Sequence, residues 1–312
     1  MIATGSNIVV THRIAGVTFR TESDSWLPRF QDEPFNRFLV SNDQVPDVYH
    51  RIHRIAPGSL TLPSPAEEEW NRFPPNLRRL LREMRSPLLY SPLVRSRLVA
   101  TLPRTEDVTA SLTREQFIIR DFARRELDVF YTPELGEHPA EVHVAANFRL
   151  LFSTFFPCFS AVLVHCASVV RAGRAAVFLA PDEGGKTTIS VDLSDGGAIL
   201  HDDQVVFRKE GSTVYAYATP LGRNTGGPRR APIGGLFLLE KALHFELIPL
   251  QASDLVQLLW AAHTPYTGSL SKDTRKHAFA VFCDACYQAP AYRLRFSRDY
   301  VDWDTIDTAM TE

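Results

Sequence analysis

The stretch Val177-Phe178-Leu179-Ala180-Pro181-Asp182-Glu183-Gly184-Gly185-Lys186-Thr187-Thr188 constrains this chain more than any other. An apolar run, a proline turn, two glycines and then Lys-Thr-Thr predict a buried strand, a tight turn and the start of a helix. Backbone N–H groups in such a turn point inward and make a hollow for phosphate oxygens. Gly184 and Gly185 let the backbone approach an anion closely. Lys186 supplies a cation for the outer phosphates, and the Thr187 hydroxyl can ligate Mg²⁺. Asp182, Glu183 and Thr188 complete the segment read as nucleotide-binding. The P-loop pattern G-x-x-x-x-G-K-[ST] is met except at its first glycine, which is Ala180, and Glu183 puts an acid beside the phosphates.

The surroundings fit that context. From residue 161 onward strands alternate with helices. Strands are predicted over 162–170, 174–180, 198–200, 235–239, 245–248 and 292–296. A hairpin is predicted over 204–208 and 213–218 around Glu210-Gly211. Helices are predicted over 186–193, 253–262 and 273–287, with Gly196-Gly197 ending the first. Residues 1–135 read as β-rich, with alternating patterns at 7–11, 16–22, 47–55, 116–119 and 126–131. A helix is predicted over 65–85, broken at Pro74-Pro75, and another over 139–156. The expected organisation is a β-rich domain over 1–135, a connecting helix over 136–160 and an α/β P-loop domain over 161–312. Residues 222–232, rich in Gly, Pro and Arg, are expected to form a mobile loop.

Composition excludes several functions. In 312 residues there are 34 Lys and Arg against 36 Asp and Glu, a net charge of -2. No field draws the molecule to nucleic acid or to an anionic membrane. Residues 148–170 are apolar enough to cross a bilayer, but Arg149, Pro157 and His165 favour a core helix running into a core strand. The first 16 residues lack the pattern of a signal peptide, so a cytoplasmic protein is expected. Four cysteines make no disulfide framework. Cys283-Asp284-Ala285-Cys286 lacks a second ligand pair for zinc and reads as the apolar face of a helix.

Asp202-Asp203 follows the short strand 198–200. Ligand and catalytic groups gather at such strand ends in α/β sheets. One carboxylate can help hold Mg²⁺ and the other can accept the proton of an attacking hydroxyl. His165, inside a predicted strand, reads on its own as a satisfied core histidine.

Taken together, Leu163-Val164-His165-Cys166-Ala167-Ser168-Val169, the P-loop, and Leu200-His201-Asp202-Asp203-Gln204-Val205 resemble the core of the HPr kinase/phosphorylase superfamily. The resemblance covers about residues 161–300 and is nearest to HPr-kinase-like proteins with a β-rich N-terminal region. Thr219-Pro220, Ala231-Pro232 and the segment from Ala289 to Phe296 also fit it. It implies an α/β core of the HPr-kinase/phosphoenolpyruvate-carboxykinase type. It places His165 on the active-site histidine, Lys186 on the P-loop lysine and Thr187 on the Mg²⁺-binding hydroxyl. It places Asp203 on the base, with Asp202 beside it as an auxiliary or metal-linked acid. The acid-Ile-Arg-Gly stretch of true HPr kinases is missing, so the resemblance does not extend to HPr as substrate. Related kinases tailor ribosomally made peptides, which implies a peptide acceptor, and true HPr kinases are oligomers, which implies a homo-oligomer.

The function expected is an ATP- and Mg²⁺-dependent kinase acting on a Ser or Thr hydroxyl of a peptide or small protein. Two alternatives stand beside it: a nucleotide-binding regulatory or scaffold module that transfers nothing, and a kinase for a small metabolite. Arg223, Arg229 and Arg230 are placed where one could stabilise a transferring phosphoryl group. Arg78, Arg82 and Arg85 share a helical face and read as solvated.

Overall fold

A computed structural model describes residues 8–23, 34–54, 108–112, 116–131, 140–222, 224–227, 229–264 and 270–311. The predicted helix over 65–85, with Arg78, Arg82 and Arg85, lies outside these residues, as does Arg223. The chain divides into two compact units. The first comprises Met1–His12, Thr18–Gln31 and Val40–Asn147; the second comprises Arg13–Val17, Asp32–Leu39 and Phe148–Glu312.

The first unit is built on a sheet of β1 (Ile8–Ile14), β2 (Val17–Ser23), β3 (Val48–Arg54), β4 (Val108–Leu112), β5 (Gln116–Asp121) and β6 (Glu126–Tyr131). Their order is β1-β2-β3-β6-β5-β4. β2, β3 and β6 run parallel, while β4, β5 and β6 form an antiparallel meander. Phe19, Val48, Phe117, Leu127, Val129 and Phe130 are fully buried. The charges among them are compensated. Arg51 pairs with Glu126 at 3.1 Å, and His53 meets the buried Asp128 at 3.1 Å while stacking on Phe130.

The second unit takes up the chain again at Phe148, within α1 (Ala140–Phe155), which ends in a 3-10 turn, Phe156–Phe159, closed by Ser160 in the left-handed region. Phe148, Phe152 and Phe156, four residues apart, pack in series on one face, the first pair edge-on and the second tilted. The strands are β7 (Ala161–His165), β8 (Ala167–Arg171), β9 (Arg174–Leu179), β10 (Ala198–His201), β11 (Gln204–Glu210), β12 (Thr213–Ala218), β13 (Arg230–Lys241), β14 (Glu246–Leu250) and β15 (Ala291–Phe296). They form one bent sheet with the path β10-β8-β9-β13-β12-β11-β7, extended by β15 and β14.

The bend lies in β13. Its first residues pair antiparallel with β12, and from Ile233 onward it runs parallel to β9 and β15. Gly234 and Gly235 sit at this change of partner, where added Cβ atoms would come within 2.8 Å of Arg174 and 2.9 Å of Phe237. The single strand expected over 162–170 is instead two strands broken at Cys166. β7 pairs with β11, while β8 pairs with β9 and β10. The alternation continues through the break, so hydrophobic periodicity does not show it.

One face of the β8–β9–β13–β15 wing buries Phe178, Phe237, Leu294 and Phe296 against Ile189 and against Trp303, Ile306 and Met310. Trp303 begins α4 (Trp303–Ala309), whose N-cap Asp302 accepts from the Thr305 N–H at 3.1 Å. The other wing is covered by α2 (Ala252–His263) and α3 (Lys272–Gln288), with Trp260 and Phe207 both against Phe282. Cys286 is buried on α3, and all four cysteines are free thiols.

The helix expected over 186–193 forms over 186–192, but its residues Thr188–Asp192 are π-wound, closed by the Leu193 N–H on the Thr188 carbonyl at 2.9 Å. Thr187, Thr188, Ile189 and Val191 are β-branched and disfavour longer helix. The segment expected as a mobile loop is tied down: Gly226 N–H donates to Leu200 O at 3.1 Å, Arg37 donates to Thr225 O at 3.0 Å, and Arg230 already belongs to β13. Among the described residues no helix is long and apolar enough to cross a membrane.

Candidate phosphate-binding and phosphotransfer site

β9 delivers the loop. After Leu179 the chain turns through Pro181-Asp182-Glu183-Gly184, with Gly184 N–H donating to Pro181 O at 3.1 Å. Glu183 has φ 61° and Gly185 φ 98°, both left-handed. A non-glycine residue pays for that geometry at Glu183, as strained loops at functional sites often do. Both glycines are required by packing. A Cβ on Gly184 would lie 2.5 Å from the Ala180 Cβ, and one on Gly185 would lie 2.8 Å from the Phe296 ring. Ala180, the departure from the usual pattern, is thus accommodated by Gly184.

Lys186 is buried and folded back across the loop. Its ammonium donates to Ala180 O at 2.8 Å and Pro181 O at 3.0 Å. Burial lowers its pKa, and Asp182 and Asp203 act in the opposite direction. Two carbonyls are weaker partners for a buried ammonium than a phosphate would be. Thr187 is exposed at the rim, Thr188 is half-buried, and the Ser190 hydroxyl donates to Lys186 O at 2.8 Å.

Register brings the remaining groups together. β7 and β11 are antiparallel with His165 opposite Gln204, so His165 at the end of β7 meets Asp203, just ahead of β11. His165 Nε2 donates to Asp203 Oδ1 at 2.8 Å and lies 3.6 Å from Asp182 Oδ1 in the loop. Arg149, from α1, donates to the other oxygen, Asp203 Oδ2, at 3.1 Å. Burial works to raise the Asp203 pKa, but the hydrogen bond and charge of His165, with Arg149 and His201, hold it down at about 2.

Asp202 points elsewhere. Its Oδ2 accepts from Asn224 Nδ2 at 2.8 Å, and its Oδ1 has no hydrogen-bond partner among the described residues. The predicted residues His165, Asp182, Lys186 and Asp203 are therefore gathered on one side, with Glu183, Gly184, Gly185, Thr187 and Thr188 in the same loop, while Asp202 faces away toward Asn224. Among the described residues no three His, Cys, Asp or Glu side chains cluster as a metal site. Mg²⁺ beside phosphates needs less than that, since a hydroxyl, at most one or two carboxylates and water suffice. The exposed Thr187 hydroxyl is a donor of the right kind, whereas the expected metal-linked role of Asp202 is not met, since its carboxylate is buried and turned toward Asn224.

Two residues at the site, Arg149 and His263, were not singled out from sequence, and His201 entered only within the motif Leu200-His201-Asp202-Asp203-Gln204-Val205. Arg149 is a lone cation in the apolar run Phe148-Arg149-Leu150-Leu151, and that isolation was its signal. His263, at the end of α2, donates from Nδ1 to His165 O at 2.6 Å, with the two rings 6.1 Å apart. Burial lowers its pKa, so it stands as a neutral imidazole there. His201 is fully buried and its Nδ1 accepts from the N–H groups of Asp203 and Gln204, each at 2.9 Å. Burial pushes its pKa down to about 4.

Fold and site define an α/β protein with mixed sheets and a glycine-lysine loop facing a carboxylate–histidine–arginine cluster. No protein-family model and no curated protein matches the chain. Among solved structures, the Hpr(Ser) kinase/phosphatase from Coxiella burnetii matches over 48% of this chain and 91% of that chain, at 10% identity and a TM-score of 0.26. At that score the likeness is distant.

Proposed function

We propose that this protein is an ATP- and Mg²⁺-dependent kinase that phosphorylates the hydroxyl of a Ser or Thr in a peptide or small protein. The observation that carries the reading is the meeting of the Lys186 loop with Asp203, held from two sides by His165 and Arg149. Phosphoryl transfer asks a protein for positioning and charge stabilisation above all. Lys186 would leave Ala180 O and Pro181 O for the outer phosphates, with the loop N–H groups beside it. Thr187 would hold Mg²⁺, with water and the phosphates completing its shell; the ion would supply neutralisation of phosphate charge.

Asp203 receives the acceptor hydroxyl. The hydroxyl oxygen bonds to the terminal phosphorus as the bond to the diphosphate leaving group breaks, and the hydroxyl proton passes to Asp203. A carboxylate with a pKa near 2 is a weak base, so it orients the hydroxyl first and takes the proton late. That order suits a loose transition state, in which the oxygen becomes acidic only as its bond to phosphorus forms. His165 fixes Asp203 Oδ1, and Arg149 screens its charge from the incoming phosphates.

The reading is tested by incubating the protein with Mg²⁺ and ATP labelled on the terminal phosphate, together with a panel of Ser- and Thr-containing peptides. Label should appear on a hydroxyl with the wild type and fall by about 10²- to 10⁴-fold with Asp203→Asn. A second reading, a nucleotide-binding module that transfers nothing, is favoured by the way Lys186 is held on its own loop carbonyls. It predicts nucleotide binding without labelled product, and partner binding unchanged in Asp203→Asn.

A further inference from the structure

Asp202 and Asp203 are neighbours in sequence and serve opposite sides of the chain, and one buried side chain stands where they part. The chain leaves β10 at His201 and starts β11 at Gln204, with only the two aspartates between. The β10–β8 pairing is irregular there, for Ile199 pairs with Val169 but His201 with Ser168, leaving Leu200 as an extra residue. A bulge of this kind re-aims the side chains that follow.

We propose that His201, as a neutral imidazole protonated on Nε2, is a positioning residue: its Nδ1 gathers the Asp203 and Gln204 N–H groups and so aims Asp203 at His165. This rests on the phosphotransfer reading of the same site. Two N–H donors converge on Nδ1 at 2.9 Å each, so that nitrogen carries a lone pair and the ring proton is on Nε2. Nε2 is buried and has no hydrogen-bond partner among the described residues, so it does not compete for the Nδ1 contacts. The ring cannot swing away. A Cβ at Gly222 would lie 2.3 Å from its Cε1 and 2.8 Å from Asp202 Oδ1, so Gly222 is the lid that packs the imidazole in place. Asn224 meanwhile holds Asp202 at 2.8 Å on the far side. Without the Nδ1 acceptor, two buried N–H groups lose their partner and the Asp202-Asp203 turn loses what fixes its direction.

The test compares wild type, His201→Ala and His201→Asn. Asparagine presents a carbonyl oxygen near the place of Nδ1 and can accept the same N–H groups. The readouts are Mg²⁺-ATP affinity by calorimetry and the single-turnover rate of phosphate transfer from ATP. We expect His201→Ala to keep the affinity within about 3-fold and to slow transfer by about 30-fold or more, with His201→Asn recovering most of the rate. Nitrogen NMR of the histidine-labelled wild type at neutral pH should show Nδ1 unprotonated and Nε2 protonated. A proton on Nδ1, a folded His201→Ala with wild-type transfer, or a His201→Asn as slow as His201→Ala would each overturn the proposal. If His201→Ala does not fold, the NMR result and the asparagine variant decide. A wild type that binds no nucleotide sinks the phosphotransfer reading, while the tautomer measurement still passes or fails by itself.

Discussion

At the scale of single residues the proposed phosphotransfer centres on Asp203, and its surroundings can be dissected one partner at a time. His165 takes one oxygen and Arg149 the other. Replacing Arg149 with Met removes a cation that holds the Asp203 pKa down. The carboxyl should therefore titrate above the present value of about 2, as carbon NMR of labelled aspartates would show. An unchanged titration would mean that Arg149 contributes nothing at that distance. The sequence displayed Lys186, Thr187 and the aspartate pair because a loop followed by a helix start is a local pattern. It did not display Arg149 or His263, because each joins the site from an element distant in sequence, and it gave His201 only as a neighbour of the aspartates, with no sign that the ring is buried. Nor did it show that Asp202 and Asp203 diverge, since that depends on a ring buried one residue earlier.

Among the elements, the loop after β9 is the most constrained. Gly185→Ala would force an L side chain into φ 98° and against Phe296. The expected loss is about 1–3 kcal/mol by chemical denaturation, together with weakened nucleotide binding. A variant as stable as wild type would show that the loop relaxes freely. Strands and hairpins here were legible where periodicity and turn residues agree, as for β9, β11, β12 and β15. The break between β7 and β8 was not, because alternation runs through Cys166 and only the change of pairing partner defines it. α4 was missed for a different reason. Its seven residues are too short for a helical pattern, and Trp303 and Ile306 owe their burial to the β8–β9–β13 wing. The length of β13 was hidden by Pro232 and by Gly234-Gly235, which read as loop and act as a bend.

Over the whole molecule the buried histidines set a pH limit. His50 in the first unit is driven down to about 3 and His201 in the second to about 4, both mainly by burial. In the unfolded chain each binds a proton near pH 6.5, so between about pH 4 and 6.5 the unfolded state holds more protons. Stability should rise with pH across that window and level off above it. Each histidine accounts for a few kcal/mol at most, roughly 3 for His201 and roughly 5 for His50 over its full shift. Asp203 adds a loss of the same sign lower down, as pH falls from the ordinary aspartate range toward 2. Thermal melting followed from pH 7.5 to 4.5 should show a falling midpoint, with part of the slope removed in His201→Asn. A flat profile would mean that these imidazoles are solvated in the native state.

The central claim is that the Lys186 loop binds a nucleotide, and calorimetry with Mg²⁺-ATP on the wild type and Lys186→Ala tests it most directly. Saturable binding by the wild type that vanishes in the variant is the predicted result. No binding of ATP or GTP by a folded wild type, or equal binding by both proteins, would contradict it.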